Sequence, residues 1–183
     1  MSGTCGLERM LPEIEVVQPD RRREEAFLAA VRRSRRLHRP FASPPGTPEA
    51  FRAYVARQWD ERYVGHWIVA ADSGELVGVI NLNEIVRGGF QSAYLGYYAF
   101  APHGGRGYME GGLRHIVRIA FSTLGLHRLE ANIQPDNARS IELVRKLGFR
   151  LEGFSPSYLK IGDRWRDHER WATTRDRSCR AQR

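Results

Sequence analysis

The apolar pattern of this chain switches at one point from strand alternation to a helical period, and a glycine-rich turn marks the switch. Residues 94–100 (YLGYYAF) alternate as a strand does, and residues 102–107 (PHGGRG) form a turn without an acidic residue. Leu113, Ile116, Val117, Ala120, Phe121 and Leu124 then fall at i, i+3, i+4, i+7, i+8 and i+11, one face of a 3.6-residue repeat. A strand that feeds a glycine turn at a helix N-terminus is a recurrent anion site, because consecutive backbone N–H groups converge there and the helix dipole adds positive potential. The spacing therefore predicts a phosphate nest over Gly105, Arg106, Gly107 and Tyr108, against the alternative of a plain strand-to-helix connection.

Three phosphate-binding turns compete. The P-loop, GxxxxGK[ST], needs a lysine and a hydroxyl that this turn lacks. A dinucleotide fingerprint GxGxxG is met at Gly105 and Gly107 but finds Glu110 at its third glycine, and only 73 residues follow for a second nucleotide half. The third is the coenzyme A turn [QR]xxGx[GA], met at Gly105-Arg106-Gly107, with Pro102 at the position of Gln or Arg. The segments HRLEANIQPDNARSIELVRKLGFRLEG, IVRGGFQSAYLGY and YLKIGDRWRDHERWA extend the likeness over roughly residues 77–173. On these motifs the chain resembles the GNAT acetyltransferases, and within them the ribosomal-protein N-terminal-alanine (RimJ/RimL-type) branch.

A chain of 183 residues, 42% hydrophobic, suits one globular domain with a sizeable core. We expect a loose segment 1–12, one domain over 13–174 and a basic tail over 175–183. Neither an apolar leader nor a long apolar run stands in the sequence, so a cytoplasmic protein without a membrane partner is expected. Cys5 and Cys179 match no metal-ligand spacing and are expected as free thiols. The net charge of +8 arises from 27 arginines against Lys146 and Lys160. The arginines are spread in small clusters, which reads as solvated helix faces, with nucleic acid an incidental partner and cofactor phosphates a second use of the potential.

In chain order, the pattern gives a strand over 13–17, a helix over 19–37 with Ala26, Phe27, Ala30 and Val31 inward, and a helix opened by Thr47 as N-cap and Pro48 at N1. The latter buries Phe51, Tyr54, Val55 and Trp59. A hairpin over 67–87 turns at Asp72-Ser73-Gly74, and an antiparallel pair around Gly162-Asp163 closes the chain. The fold class is α+β, with a mixed, mostly antiparallel sheet. The resemblance adds a splayed central strand pair, helices on both faces, and His38, Phe41 and Trp59 beside the acceptor cleft.

The resemblance also implies acetyl coenzyme A as cosubstrate, no metal, and a protein N-terminal amine or a small amine such as an antibiotic or polyamine as acceptor. A non-catalytic acyl-coenzyme-A sensor and a basic nucleic-acid-binding module are the readings from other classes. Direct transfer to an amine needs a polarised thioester carbonyl, a neutral amine and a proton for the departing thiolate. By the resemblance, the backbone N–H of Phe100 or Ala101 polarises the carbonyl where β-pairing opens toward the strand bearing Asn132, and Ser140 protonates the thiolate, since Val144 stands where many relatives carry a tyrosine. Asn137 is either the helix N-cap or a ligand of the pantetheine arm. Glu84 and Glu130 compete as general base, or are surface carboxylates. His103 and His127 read as turn residues, and Trp165-Arg166-Asp167-His168 as a family motif in which Asp167 pairs with an arginine.

Overall fold

A computed structural model describes residues 10–176. Seven strands form one sheet: β1 Ile14–Val17, β2 Val64–Ala70, β3 Leu76–Val86, β4 Ser92–Ala99, β5 Arg128–Ile133, β6 Arg150–Ile161 and β7 Arg164–Thr174. Their order is β1-β2-β3-β4-β5-β7-β6, and β4–β5 is parallel while the other pairs are antiparallel. The helices are α1 Glu24–Arg33, α2 Arg35–His38, α3 Pro48–Ala56, α4 Tyr108–Ser122 and α5 Ala138–Lys146.

Alternation along the strands sends side chains into two cores, one on each face of the sheet. On one face, α4 lays Leu113, Ile116, Val117 and Ala120 over Ile68, Ile80 and Leu82, and α5 adds Ile141 and Val144. On the other, Phe27 of α1 is fully buried, with ring centroids 5.0–5.9 Å from Phe51, Tyr54, Trp67 and Phe100. Thr47 caps α3 by accepting from Ala50 N–H at 3.2 Å, with Pro48 in the first turn.

Three expectations are corrected. The helix expected over 19–37 begins as a 3-10 turn at Arg21–Arg23 and breaks at Ser34, whose Oγ donates to Ala30 O and accepts from Ala101 N–H; it buries Leu28 rather than Ala26. Trp59 is 90% exposed. It ends a 3-10 turn, Arg57–Trp59, and tightening to three residues per turn swings it off the face that Val55 buries. Leu11 and Pro12, expected to be loose, lie against Gly107, where an added Cβ would stand 3.1 Å from Pro12 Cδ. Cys5, Cys179 and most of the expected terminal segments fall outside the described residues.

Candidate active site

The parallel ladder between β4 and β5 runs only from Ser92–Arg128 to Leu95–Ala131. Beyond Leu95, β4 stays paired with β3 while β5 stays paired with β7 out to Ile133–Glu169, so the two strands part. Phe100 N–H donates to Val77 O at 2.8 Å, which assigns the even-numbered amides of β4 to β3 and turns those of Tyr97 and Ala99 toward the gap. This corrects the expected carbonyl donors. Phe100 N–H is consumed by β3, and Ala101 N–H by Ser34 Oγ at 2.9 Å. The wider end of the gap is braced by His38, whose buried ring donates from Nε2 to Ala99 O at 2.9 Å, and burial lowers its pKa.

A cavity of about 600 Å³ fills the gap and reaches both faces of the sheet. Tyr97 and Ser140 wall it on the side of α5, and Tyr98 and Phe41 wall it on the side of α1 and α3. Ser140 sits in the first turn of α5 and its hydroxyl is hydrogen-bonded to the Tyr97 hydroxyl. Burial pushes the Tyr97 phenol up to about 12, against a smaller opposing effect of the Ser140 bond, so it stays protonated through the neutral range. Asn137 caps α5 by accepting from Ser140 N–H at 3.3 Å while also lining the cavity. Asn132 Oδ1 and the Tyr98 hydroxyl are buried at the cavity wall without a hydrogen-bond partner, and polar atoms left so are costly unless something binding there meets them.

Glu84 enters the cavity through a β-bulge. β3 spends one residue more than β4 between Asn83–Tyr94 and Val86–Ser92, and Glu84 takes a positive φ of 48° there. Its carboxylate accepts from the Tyr63 hydroxyl. Glu130, the rival base, is 9% exposed, takes a 2.8 Å ion pair from Arg128, which also binds Glu152 at 2.7 Å, and does not line the cavity. His103 is buried with Nε2 3.0 Å from Glu75 and its ring edge-on to Tyr108; neither it nor His127 lines the cavity.

Gly105 and Gly107 both have positive φ, at 78° and 97°, and Gly107 is the N-cap residue of α4. No atom lies within 4 Å of where a Gly105 Cβ would be, whereas Gly107 is covered by Leu11 and Pro12. The first N–H groups of a helix have no intrahelical acceptor. In α4 these belong to Tyr108 and its neighbours, beside the open side of Gly105.

A family description, acetyltransferase (GNAT) domain, matches residues 15–150. The chain belongs to the GNAT acetyltransferase family. It is 39% identical over 111 residues to the probable N-acetyltransferase YjcK of Bacillus subtilis, 60% of each chain. It is 41% identical over 103 residues to the ribosomal protein uS5 alanine N-acetyltransferase of Escherichia coli, 56% of this chain and 53% of that one. The chain thus spans little more than half the length of these relatives. Its GNAT fold superposes on Mycobacterium smegmatis RimJ in complex with CoA-disulfide with a TM-score of 0.82, at 23% identity over 90% of this chain and 83% of that one. It also superposes on a spermidine N-acetyltransferase of Vibrio cholerae in complex with CoA and spermine, with a TM-score of 0.77 at 17% identity over 91% and 98%.

Sequence reasoning missed Tyr97 as the partner of Ser140, together with Tyr98, Tyr158 and His168 in the wall. The signal for Tyr97 was present, since in a strand two adjacent tyrosines must face opposite sides. No helix among the described residues is long and apolar enough to cross a membrane.

Proposed function

We propose that this chain transfers an acetyl group from acetyl coenzyme A to an amine, and that the acceptor is the N-terminal α-amine of a protein, of the ribosomal-protein-alanine kind. The observation that carries the reading is the early end of the β4–β5 ladder, which leaves backbone amides facing a cavity walled by a hydroxyl pair and a carboxylate.

Acetyl coenzyme A supplies a thioester carbon open to attack by an amine. The open turn at Gly105 and the N–H groups that begin α4 suit its pyrophosphate, and Asn132 Oδ1 and the Tyr98 hydroxyl offer polar partners along the gap. The N–H of Tyr97, which lines the cavity, with that of Ala99 next along the parting strand, takes the role first assigned to Phe100 and Ala101, that of stabilising negative charge on the carbonyl oxygen. Glu84, held by the Tyr63 hydroxyl, accepts the amine proton through a water. Ser140 hands a proton to the leaving sulfur and recovers one from Tyr97, whose burial keeps it protonated.

A small polycationic amine is the second reading, favoured by the likeness to the spermidine acetyltransferase fold. Against it, Glu84 is the sole carboxylate lining the cavity among the described residues, whereas a polyamine brings several cations that each need an anionic partner. A peptide N-terminus brings one amine followed by amide groups, which suit Asn81, Asn83 and Gln134 in the same wall. Nucleic acid remains incidental in this reading, and Arg22, Arg52, Arg62, Arg114 and Arg128 are held in ion pairs with nearby carboxylates. The cytoplasm, where ribosomal proteins are made, is the compartment this reading implies. Incubation with acetyl coenzyme A and a panel of free-N-terminus peptides, N-terminally blocked lysine peptides and spermidine tests it. Acetylation confined to α-amines is expected; preference for spermidine would favour the second reading, and cofactor binding without turnover would favour the sensor.

A further inference from the structure

The Trp165-Arg166-Asp167-His168 motif has no part in the chemistry above, yet it lies beside the cavity. Strands β6 and β7 lose register between Ser155–His168 and Leu159–Arg166, where β6 spends four residues against two on β7. The excess forms a bulge with Ser157 at φ 48°, a conformation that costs a non-glycine residue energy and persists only when held. Among the described residues Asp167 pairs with no arginine, although the sequence suggested that it would. Its Oδ1 accepts from Ser157 N–H at 2.8 Å, across the strands and at the apex of the bulge.

The bulge aims side chains. Tyr158 and Leu159, which follow Ser157 directly, line the cavity, and so does His168 beside Asp167. The His168 ring is 2% exposed, with Nδ1 donating to Arg166 O at 2.9 Å and its centroid 6.3 Å from that of Tyr158. Tyr158 also neighbours the Tyr94 hydroxyl on β4, although β5 and β7 stand between their strands in the sheet. Tyr158 and Tyr94 thus line the cavity together, one from the edge strand and one from the central one.

We propose that Asp167 is a positioning residue that clamps the β6 bulge through Ser157 N–H and thereby fixes Tyr158 as a wall of the cavity at its acceptor end, the end of Glu84, where Tyr94 pairs with Asn83. The clamp is a matter of hydrogen-bond acceptance and not of charge. The kinetic part of the proposal rests on the reading of the cavity as an acceptor site; the clamp itself does not.

Three variants separate these parts. Asp167→Asn keeps an oxygen acceptor at the same reach, and Asp167→Ala removes it. Hydrogen exchange of the Ser157 amide, which needs no substrate, should be protected in wild type and in Asp167→Asn and fast in Asp167→Ala. Equal protection in all three would overturn the clamp, as would an Asn variant that behaves like Ala. With the best peptide acceptor, Asp167→Ala should raise the acceptor KM about three- to ten-fold, the size of one lost hydrogen bond, and leave the acetyl coenzyme A KM unchanged. In a Tyr158→Ala background the same substitution should add less than about two-fold, because Asp167 acts through Tyr158. Full additivity, or equal rises in both KM values, would overturn the positioning role. If Asp167→Ala does not fold, Asp167→Asn decides the matter: wild-type protection and acceptor KM support an acceptor-only clamp, and loss of either refutes it. If wild type turns over no acceptor, the functional reading fails together with the kinetic part, and the exchange data still judge the clamp.

Discussion

Ser140 and Tyr97 are a hydrogen-bonded hydroxyl pair in the cavity wall. An alcohol gives up its proton reluctantly, so the proposed use of Ser140 as an acid depends on the phenol behind it, which burial holds at about 12. Ser140→Ala should lower kcat by about 100-fold or more while the acetyl coenzyme A affinity stays within a few-fold, and Tyr97→Phe should give a similar loss with little further effect when the two are combined. Steady-state kinetics with calorimetric cofactor titration checks this; a loss under about 3-fold makes Ser140 only a member of the first turn of α5. Glu84 is argued from acceptor chemistry. A protein α-amine has a pKa of about 7.7 to 8.0, so it arrives increasingly deprotonated as pH rises. Glu84→Gln should therefore depress kcat/KM most below about pH 7 and converge on wild type above about pH 8, whereas a flat ratio across the profile would remove Glu84 as the base.

At the level of elements, the nest and the sheet beneath α4 make separate predictions. Gly105 is the exposed arm of the turn, and Asp and Asn are the side chains that best tolerate its left-handed backbone. Gly105→Asp should cost about ten-fold or more in coenzyme A affinity by placing a negative charge at the proposed pyrophosphate site, and Gly105→Asn should cost only a few-fold. Equal losses in calorimetry would mean that the turn binds no anion. A side chain at Gly107 would instead meet Leu11 and Pro12, a contact that no sequence pattern announces because residues 11–12 carry no periodicity. His66 on β2 lies under α4, 8% exposed, and burial holds its pKa down at about 4 against 6.5 for a free ring. Between these values the unfolded chain takes up the proton and the folded chain does not. Stability present above pH 6.5 is therefore lost as the pH falls toward 4, by roughly 3 kcal/mol in full. The Tm should drop over that window, and His66→Gln, which has no proton to gain there, should flatten the slope; an unchanged slope would contradict the assignment.

Across the whole molecule, the sequence revealed what is periodic and hid what is not. The strand–turn–helix unit around Gly105, the cap at Thr47 and the strand pairs follow from local pattern, and the structure contains them. Which amides face the gap does not follow from local pattern, because it depends on the register of β3 against β4, and one residue of register exchanges Phe100 for Ala99. Trp59 was misread because a 3-10 turn is indistinguishable in sequence from one more turn of α3. Glu84 and Tyr158 owe their directions to bulges, which insert residues without a signature in hydrophobic period. The account therefore rests on the parting of β4 from β5 as the place of reaction. A crystal structure of the complex with acetyl coenzyme A tests that claim most directly. It should show the pyrophosphate on the N–H groups between Gly105 and the first turn of α4, the thioester oxygen within hydrogen-bond reach of the Tyr97 or Ala99 N–H, and the sulfur beside Ser140. A cofactor seated elsewhere, or a thioester directed at Phe100 and Ala101 with their present bonds broken, would contradict it.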